Sequence, residues 1–68
     1  MTNGKLLEDK IQKSGLKKVF IAKKIGVTPN TLTALINNKA EFKASQIRAI
    51  CDVLNIKDDA EIKAIFFA

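Results

Sequence analysis

The stretch from Lys18 to Asn37 constrains the fold of this chain more than any other. Ala22 and Gly26 are four residues apart within it. Apolar residues lie at helical spacing on both sides of the glycine: Ile21, Ile25, Val27, Leu32 and Leu35. Where two short helices cross closely, the first needs a small side chain at the crossing, and the turn needs a residue that tolerates positive φ. Ala22 and Gly26 meet these two needs, so the stretch predicts a helix, a tight turn and a second helix.

The second helix of this pair has a well-marked start. Thr28 is predicted to be its N-cap, because a threonine hydroxyl accepts a hydrogen bond from a backbone N–H group of the first turn. Pro29 then takes the first helical position, where a missing N–H costs nothing. The helix is expected to run to about Ile36.

A first helix is predicted before the pair. Thr2 or Asn3 caps it, and it runs to about Ser14. Gly15 follows at the position where a left-handed residue commonly ends a helix. The connections between these first three helices are therefore very short.

Two more helices are predicted after the pair. Ser45 caps the fourth helix, and Asn55 ends it in a left-handed conformation. Asp58, with Glu61 three residues later, forms a capping-box-like start for a last helix at about 58–67. Because no strand alternation is present, the predicted fold is all-α with five short helices.

The apolar residues are assigned by their spacing to one small core. The predicted core comprises Leu7, Phe20, Ile21, Ile25, Val27, Leu32, Leu35, Ile47, Ile50 and Leu54, and Phe42 of the loop before the fourth helix is expected to pack into it. Cys51 shares the apolar face of the fourth helix and is expected to behave as a small hydrophobe. With one cysteine and no histidine, the chain offers no internal disulfide, no Cys/His metal site and no catalytic constellation. The sequence predicts a protein that is not an enzyme and has no cofactor.

Positive charge is concentrated in the first two-thirds of the chain. Residues 1–43 carry nine lysines and three acidic residues, a net charge of +6, whereas residues 44–68 carry three cations and four acids, a net charge of −1. A basic surface favours a polyanion, because each neutralised phosphate releases condensed counterions. The alternative is that the lysines only solvate exposed helix faces.

Length and hydropathy set further expectations. Sixty-eight residues predict one small domain covering 1–68. No apolar run approaches the roughly 18 residues of a membrane span, and the first ten residues lack the apolar segment of a signal peptide. A cytoplasmic location with no membrane partner is expected.

One pattern runs through the helical pair, at about 17–37, and continues into the fourth helix. It consists of Ile21-Ala22, Ile25-Gly26-Val27-Thr28, Leu32, Leu35 and the segment from Ser45 to Ile56. The pattern resembles the Cro/C1-type helix-turn-helix family of phage and bacterial regulators, over about residues 4 to 56. The resemblance implies a lambda-repressor-like DNA-binding domain whose motif is formed by helices 2 and 3. The small size and the aromatic tail resemble small Cro-like repressors or repression modulators of temperate-phage lysogeny switches.

The resemblance implies that helix 3 lies in the major groove of double-stranded operator DNA. Its exposed residues Pro29, Asn30, Thr33 and Ala34 would then face base edges. Asn30 is the best candidate, because a side-chain amide pairs bidentately with adenine, whereas Thr33 or the Ala34 methyl would contact a thymine methyl. Pro29 donates no hydrogen bond, so the helix carries few polar base readers, and DNA shape would supply part of the specificity.

The resemblance also implies contacts with the DNA backbone on both sides of helix 3. Lys18 lies at the start of helix 2, where backbone N–H groups and the ammonium both suit a phosphate. The other predicted phosphate contacts are Lys17, Thr28, Thr31, Asn37, Asn38, Lys39 and Lys43. For Asn37 and Asn38 the alternative is a plain helix C-cap pair.

The last helix has more apolar residues than one buried face needs. They are Ile62, Ile65, Phe66 and Phe67. A homodimer through this helix would explain the excess, since operator half-sites are usually related by a two-fold axis. The alternative is that Phe66 packs inside and Phe67 covers the edge of the core.

Two functions are left open by the sequence. The first is a repressor that occupies an operator and blocks polymerase by occlusion. The second is a modulator or antirepressor that binds a companion repressor protein through the apolar tail, and the small number of base readers favours it. The two functions predict opposite responses to the loss of lysines and of terminal phenylalanines.

Overall fold

The computed structural model describes residues 1–68 as five α-helices joined by short turns. Their bounds are α1 Gly4–Ser14, α2 Lys18–Ile25, α3 Pro29–Ile36, α4 Ala44–Leu54 and α5 Asp59–Phe66. The prediction of an all-α chain with five short helices is confirmed. None of these helices is both long enough and apolar enough to span a membrane.

The ends of the first three helices follow local capping rules. Asn3, rather than Thr2, caps α1, and its side-chain oxygen accepts the Leu6 N–H at 3.2 Å. Gly15 and Gly26 follow α1 and α2 in the left-handed region, with φ of 73° and 81°. Both glycines end their helices as predicted, because a side chain at positive φ would be strained.

The start of α4 differs from the prediction. Ser45 is not its cap, because the helix begins at Ala44 and Lys43 takes the N-cap position. The Lys43 backbone N–H donates to the side-chain oxygen of Gln46 at 2.8 Å. A glutamine at the third helical position therefore replaces the serine hydroxyl in ordering this end. Asn55 closes the helix with φ of 57°, as predicted.

The start of α5 is confirmed only in part. Asp58 caps the helix, and its carboxylate accepts the Ala60 N–H at 3.2 Å. Glu61 forms an ion pair with Lys10 of α1, with 3.0 Å between Nζ and Oε1. The Glu61 carboxylate thus links α5 to α1 instead of completing a capping box.

The core forms where the five helices converge. Every helix contributes at least one completely buried side chain: Leu7, Ile21, Ala22, Leu32, Ile50 and Ile65. The burial of Ala22 agrees with a small residue at a close helix crossing. Ile36 and Ile56 are also buried, although spacing within single helices did not include them in the predicted core.

Phe20 is a correction to the predicted core, since its side chain is 42% exposed. Successive residues of an α-helix are rotated by about 100°. Ile21, Ala22 and Ile25 define the buried face of α2, and Phe20 therefore points away from it. The Lys24 ammonium lies 5.5 Å from the centroid of the Phe20 ring, a cation–π arrangement that partly shields the ring.

The two ends of the chain lie side by side. The Asn3 N–H donates to the Ile65 carbonyl at 2.6 Å, and the Ala68 N–H donates to the Met1 carbonyl at 3.0 Å. The N-terminal residues are therefore attached to the end of α5. This attachment places the first residues of the chain next to the loop that follows α3.

Candidate nucleic-acid interface

The start of α3 is held by hydrogen bonds from the turn before it. The Thr28 hydroxyl oxygen accepts the Thr31 N–H at 3.1 Å and donates to the Thr31 hydroxyl at 3.0 Å. The Val27 N–H donates to the Ala22 carbonyl at 2.9 Å, which ties the turn to α2. Pro29 occupies the first turn of α3, as predicted. Backbone and cap hydrogen bonds thus order the turn between α2 and α3.

One face of α3 is anchored in the core, and the opposite face carries the predicted base readers. Pro29, Asn30 and Thr33 are exposed, whereas Ala34 is half-buried. The Asn30 amide has no hydrogen-bond partner within the chain. The Thr33 hydroxyl donates to the Pro29 carbonyl at 3.1 Å, so its hydrogen is used within the helix. Asn30 is therefore the one predicted reader whose full hydrogen-bonding capacity is free.

The helical pair lies in a stretch of the chain without acidic residues. Residues 10–40 contain seven lysines and no carboxylate side chain. Three of these lysines pair with carboxylates outside the stretch: Lys10 with Glu61, Lys13 with Asp9, and Lys18 with Glu8. The other four lysines form no salt bridge: Lys17, Lys23, Lys24 and Lys39. The motif therefore keeps an uncompensated positive charge near its surface.

Lys18 differs from the other predicted phosphate contacts. Its Nζ lies 2.9 Å and 3.0 Å from the two carboxylate oxygens of Glu8. This pair attaches the start of α2 to α1. Both side chains are 44% exposed, so the pair is worth little in stability. A phosphate at this position would have to compete with Glu8 for the Lys18 ammonium.

The loop after α3 contains both free and engaged side chains. Asn37, Lys39 and Lys43 are exposed. Asn38 is exposed as well, but its side chain is engaged: its Oδ1 accepts the Thr2 N–H at 3.0 Å and its Nδ2 donates to the Thr2 carbonyl at 2.8 Å. Asn37 occupies the C-cap of α3 and Asn38 adopts φ of 61°, which agrees with the C-cap alternative for this pair.

A family model described as "Helix-turn-helix" matches residues 7–60. The chain belongs to this Cro/C1-type helix-turn-helix family. Its general activity is that of a DNA-binding transcriptional regulator. Comparison with proteins of curated function found no match, and neither did comparison with solved structures. The family assignment rests on α1 to α4 and the first residues of α5.

The end of α5 lies beyond the part that matches the helix-turn-helix family. Ile65 is completely buried and Phe66 is 3% exposed, which corrects their predicted place at a protein interface. Phe66 packs edge-to-face on Phe42, with 5.2 Å between the ring centroids. Ile62 is half-buried and Phe67 is 64% exposed. Only Ile62 and Phe67 of the predicted interface therefore keep surface outside the core of this helix-turn-helix protein.

Sequence reasoning missed one part of the surface of the helix-turn-helix motif. Val19 is 64% exposed and lies beside the exposed Phe20 on the outer side of α2. Lys23 and Lys24 follow them on the same helix. The rotation of about 100° between successive helix residues places Val19, like Phe20, on the side of α2 opposite its buried residues. Applied to the sequence, this rotation predicts the apolar and basic face.

Proposed function

We propose that this protein is a Cro-like phage repressor that places α3 in the major groove of an operator and blocks polymerase by occlusion. The observation that carries the proposal is the exposed face of α3, on which Asn30 has a free amide. That face belongs to a helix fixed in the core by Leu32 and Leu35. The protein would act in the cytoplasm of the host cell, as part of a lysogeny switch.

Direct base readout is assigned chiefly to Asn30. The Nδ2–H group of an asparagine donates to adenine N7 while its Oδ1 accepts from the adenine N6 amino group, a bidentate arrangement worth about 1 to 3 kcal/mol of discrimination. Thr33 and Ala34 offer methyl groups to a thymine, and Pro29 offers only an apolar contact. Because few direct readers are available, sequence-dependent DNA shape would contribute to the choice of operator.

Phosphate contacts are assigned to both sides of α3. Lys17 lies at the N-cap of α2, and Lys39 follows α3 without a carboxylate partner. Lys43, Asn37, Thr28 and Thr31 extend the same two sides and are exposed. Lys18 would join them by exchanging Glu8 for a phosphate. Such contacts position the protein on the duplex, whereas base contacts select the sequence.

Occupation of a two-fold operator favours a homodimer on DNA. The surface available at the end of α5 consists of Phe67 and the exposed part of Ile62. Met1 lies next to this surface and is 83% exposed. Two copies meeting there would cover apolar side chains that a monomer leaves in water.

The experiment is fluorescence anisotropy of the purified protein with its own promoter region and with a scrambled duplex, at two salt concentrations. A repressor binds the promoter more tightly, and its affinity falls steeply with salt. The variant Lys17→Ala with Lys39→Ala should weaken binding to both duplexes by a similar factor. Binding of the wild-type protein to neither duplex would contradict the proposal.

A second candidate function is the binding of a companion repressor protein. Two exposed apolar places favour it, Phe67 at the C-terminal end and Val19 with Phe20 on α2. Burying such apolar side chains against a partner would be favourable. Addition of the companion repressor to the anisotropy assay separates the two functions: a sequence-specific complex that forms only in its presence identifies a modulator. Phe67→Ala should then abolish the complex, whereas Lys39→Ala should leave it intact.

A further inference from the structure

The first three residues of the chain form a strap across one edge of the molecule. This N-terminal strap, Met1–Asn3, is hydrogen-bonded on one side to the C-terminal end of the chain, through the Ile65 carbonyl of α5 and the Ala68 N–H that follows the helix. On its other side it is hydrogen-bonded to Asn38, in the loop after α3. The strap therefore bridges the C-terminal end and the loop that follows the recognition helix.

The contact between Asn38 and the strap is specific. The Asn38 amide engages both the N–H and the carbonyl of Thr2, at 3.0 Å and 2.8 Å, as a neighbouring strand would. Thr2 is only 8% exposed, so these polar groups need partners within the protein. Asn38 also holds φ of 61°, a conformation that asparagine tolerates better than most residues. Side chain and backbone of Asn38 are thus both committed to this contact.

The last turn of α3 is fixed from the same side. A Cβ atom at Gly4, directly after the strap, would collide with the Ile36 carbonyl oxygen. The Asn38 N–H donates to the Leu35 carbonyl at 3.3 Å, and the Lys39 N–H donates to the Ala34 carbonyl at 2.9 Å. Residues on both sides of Asn38 are exposed, so the contact holds the loop while its neighbours face solvent.

From this geometry we infer that Asn38 is a positioning residue for DNA binding, which locks the loop to the N-terminal strap and so presents Asn37 and Lys39 to the phosphate backbone. The inference rests on the proposed function. A loop that is ordered before binding loses little conformational freedom on the DNA, whereas a released loop would have to lose so much that Lys39 no longer holds its phosphate. Asn38 itself needs no contact with the DNA.

The two hydrogen bonds between the Asn38 amide and the Thr2 backbone are called the lock below, and two variants remove it from opposite sides. Asn38→Gly keeps a residue that accepts positive φ but removes both side-chain hydrogen bonds. Thr2→Pro removes the N–H that donates to Asn38. Thr2→Ala is the matched control, because Thr2 contributes only its backbone groups to the contact. The double variant of Asn38→Gly and Thr2→Pro should lose no more affinity than either change alone, since both act on one contact.

The readouts are DNA affinity, its salt dependence and amide hydrogen exchange, measured below the melting temperature of each variant. Both lock variants should bind the promoter about tenfold more weakly, the value of one charge-assisted hydrogen bond. The slope of log affinity against log salt should fall by about 0.9, as expected when Lys39 loses one phosphate. The ratio of promoter to scrambled affinity should stay unchanged, and the Lys39 amide should exchange faster without DNA. Thr2→Ala should match the wild type.

Several results would overturn the inference. Wild-type affinity and slope in folded Asn38→Gly and Thr2→Pro would show that the lock does not serve DNA binding. A lower promoter-to-scrambled ratio would show that Asn38 acts through the placement of α3 rather than the loop, and unchanged Lys39 exchange would show that the loop is not held by the strap. If the wild type binds neither duplex, the proposed function fails instead, and hydrogen exchange still reports whether the lock exists.

Discussion

Replacement of Phe66 by alanine tests whether the end of α5 belongs to the core or to an interface. Phe66 is 3% exposed and its ring packs edge-to-face on Phe42 at an interplanar angle of 83°. Phe67, the next residue, is 64% exposed. The two phenylalanines are adjacent in the chain and identical in chemistry, so Phe67→Ala is a close control for Phe66→Ala.

The expected loss follows from burial. Truncating a buried phenylalanine to alanine costs about 3 to 5 kcal/mol of unfolding free energy, which includes the cavity left behind. A chain of 68 residues has a total stability of about 3 to 10 kcal/mol. Phe66→Ala should therefore lower the melting temperature by at least about 12 °C, given about 4 to 8 °C per kcal/mol in a domain of this size. Phe67→Ala should change stability by no more than about 0.5 kcal/mol.

Thermal and urea unfolding followed by circular dichroism would measure both variants. The measurements should be made at several protein concentrations, because a dimer raises the melting temperature with concentration. Similar losses of stability in the two variants, or a loss in Phe66→Ala that appears only at concentrations where the wild type is dimeric, would refute the assignment of Phe66 to the monomer core. The residue would then belong to the interface that the sequence predicted.

Three further predictions concern single side chains. Asn30→Ala should reduce the difference in binding free energy between the promoter and the scrambled duplex, measured by anisotropy, by about 1 to 3 kcal/mol. Full discrimination in this variant would show that Asn30 is not the principal reader. Glu8→Gln should free the Lys18 ammonium and raise DNA affinity, because a phosphate then no longer competes with Glu8 for Lys18; unchanged affinity would mean that Lys18 meets no phosphate. Burial, assisted by the charge of Asp52, raises the pKa of the Cys51 thiol above its ordinary value of 9.0. Because the folded state then keeps this proton longer than the unfolded state, the stability contributed by the protonated thiol should be complete below pH 9.0 and decline as pH rises through the folded pKa. Unfolding of the wild type and of Cys51→Ala across this range would measure the difference, and parallel pH profiles would contradict it.

The helix ends could be predicted from the sequence because each depends on residues within a few positions. Gly15, Gly26 and Asn55 end their helices in the left-handed region, and Thr28 caps α3 through Thr31. These contacts form locally whatever the rest of the chain does. The fold class followed, since five such segments without strand alternation allow only an all-α arrangement.

Side-chain partners that are distant in sequence could not be predicted in the same way. The partner of Lys18 is Glu8, ten residues away, and that of Asn38 is Thr2, thirty-six residues away. Both residues are polar and lie near the motif, so the sequence favoured phosphate contacts for them. Glu8 comes within reach because α1 packs beside the motif, and Thr2 because the strap passes along the loop after α3. The orientation of Phe20, in contrast, follows from the rotation of about 100° between successive residues of a helix. Its predicted burial was wrong because it rested on the hydrophobicity of the residue and not on its angular position around the helix axis.

In the loop after α3, neighbouring polar residues have different roles: one is held by the protein, and the residues beside it are proposed to contact DNA. Asn37, Asn38 and Lys39 are consecutive, and composition alone treats them as equivalent candidates for DNA. Asn38 takes the left-handed conformation that reverses the chain after α3, and its amide reaches back to the strap. Its two neighbours are exposed, so the contact between Asn38 and the strap holds the segment that carries them. Replacing Asn38 should therefore impair DNA binding through Lys39, and Lys39→Ala should cost less affinity in an Asn38→Gly background than in the wild type.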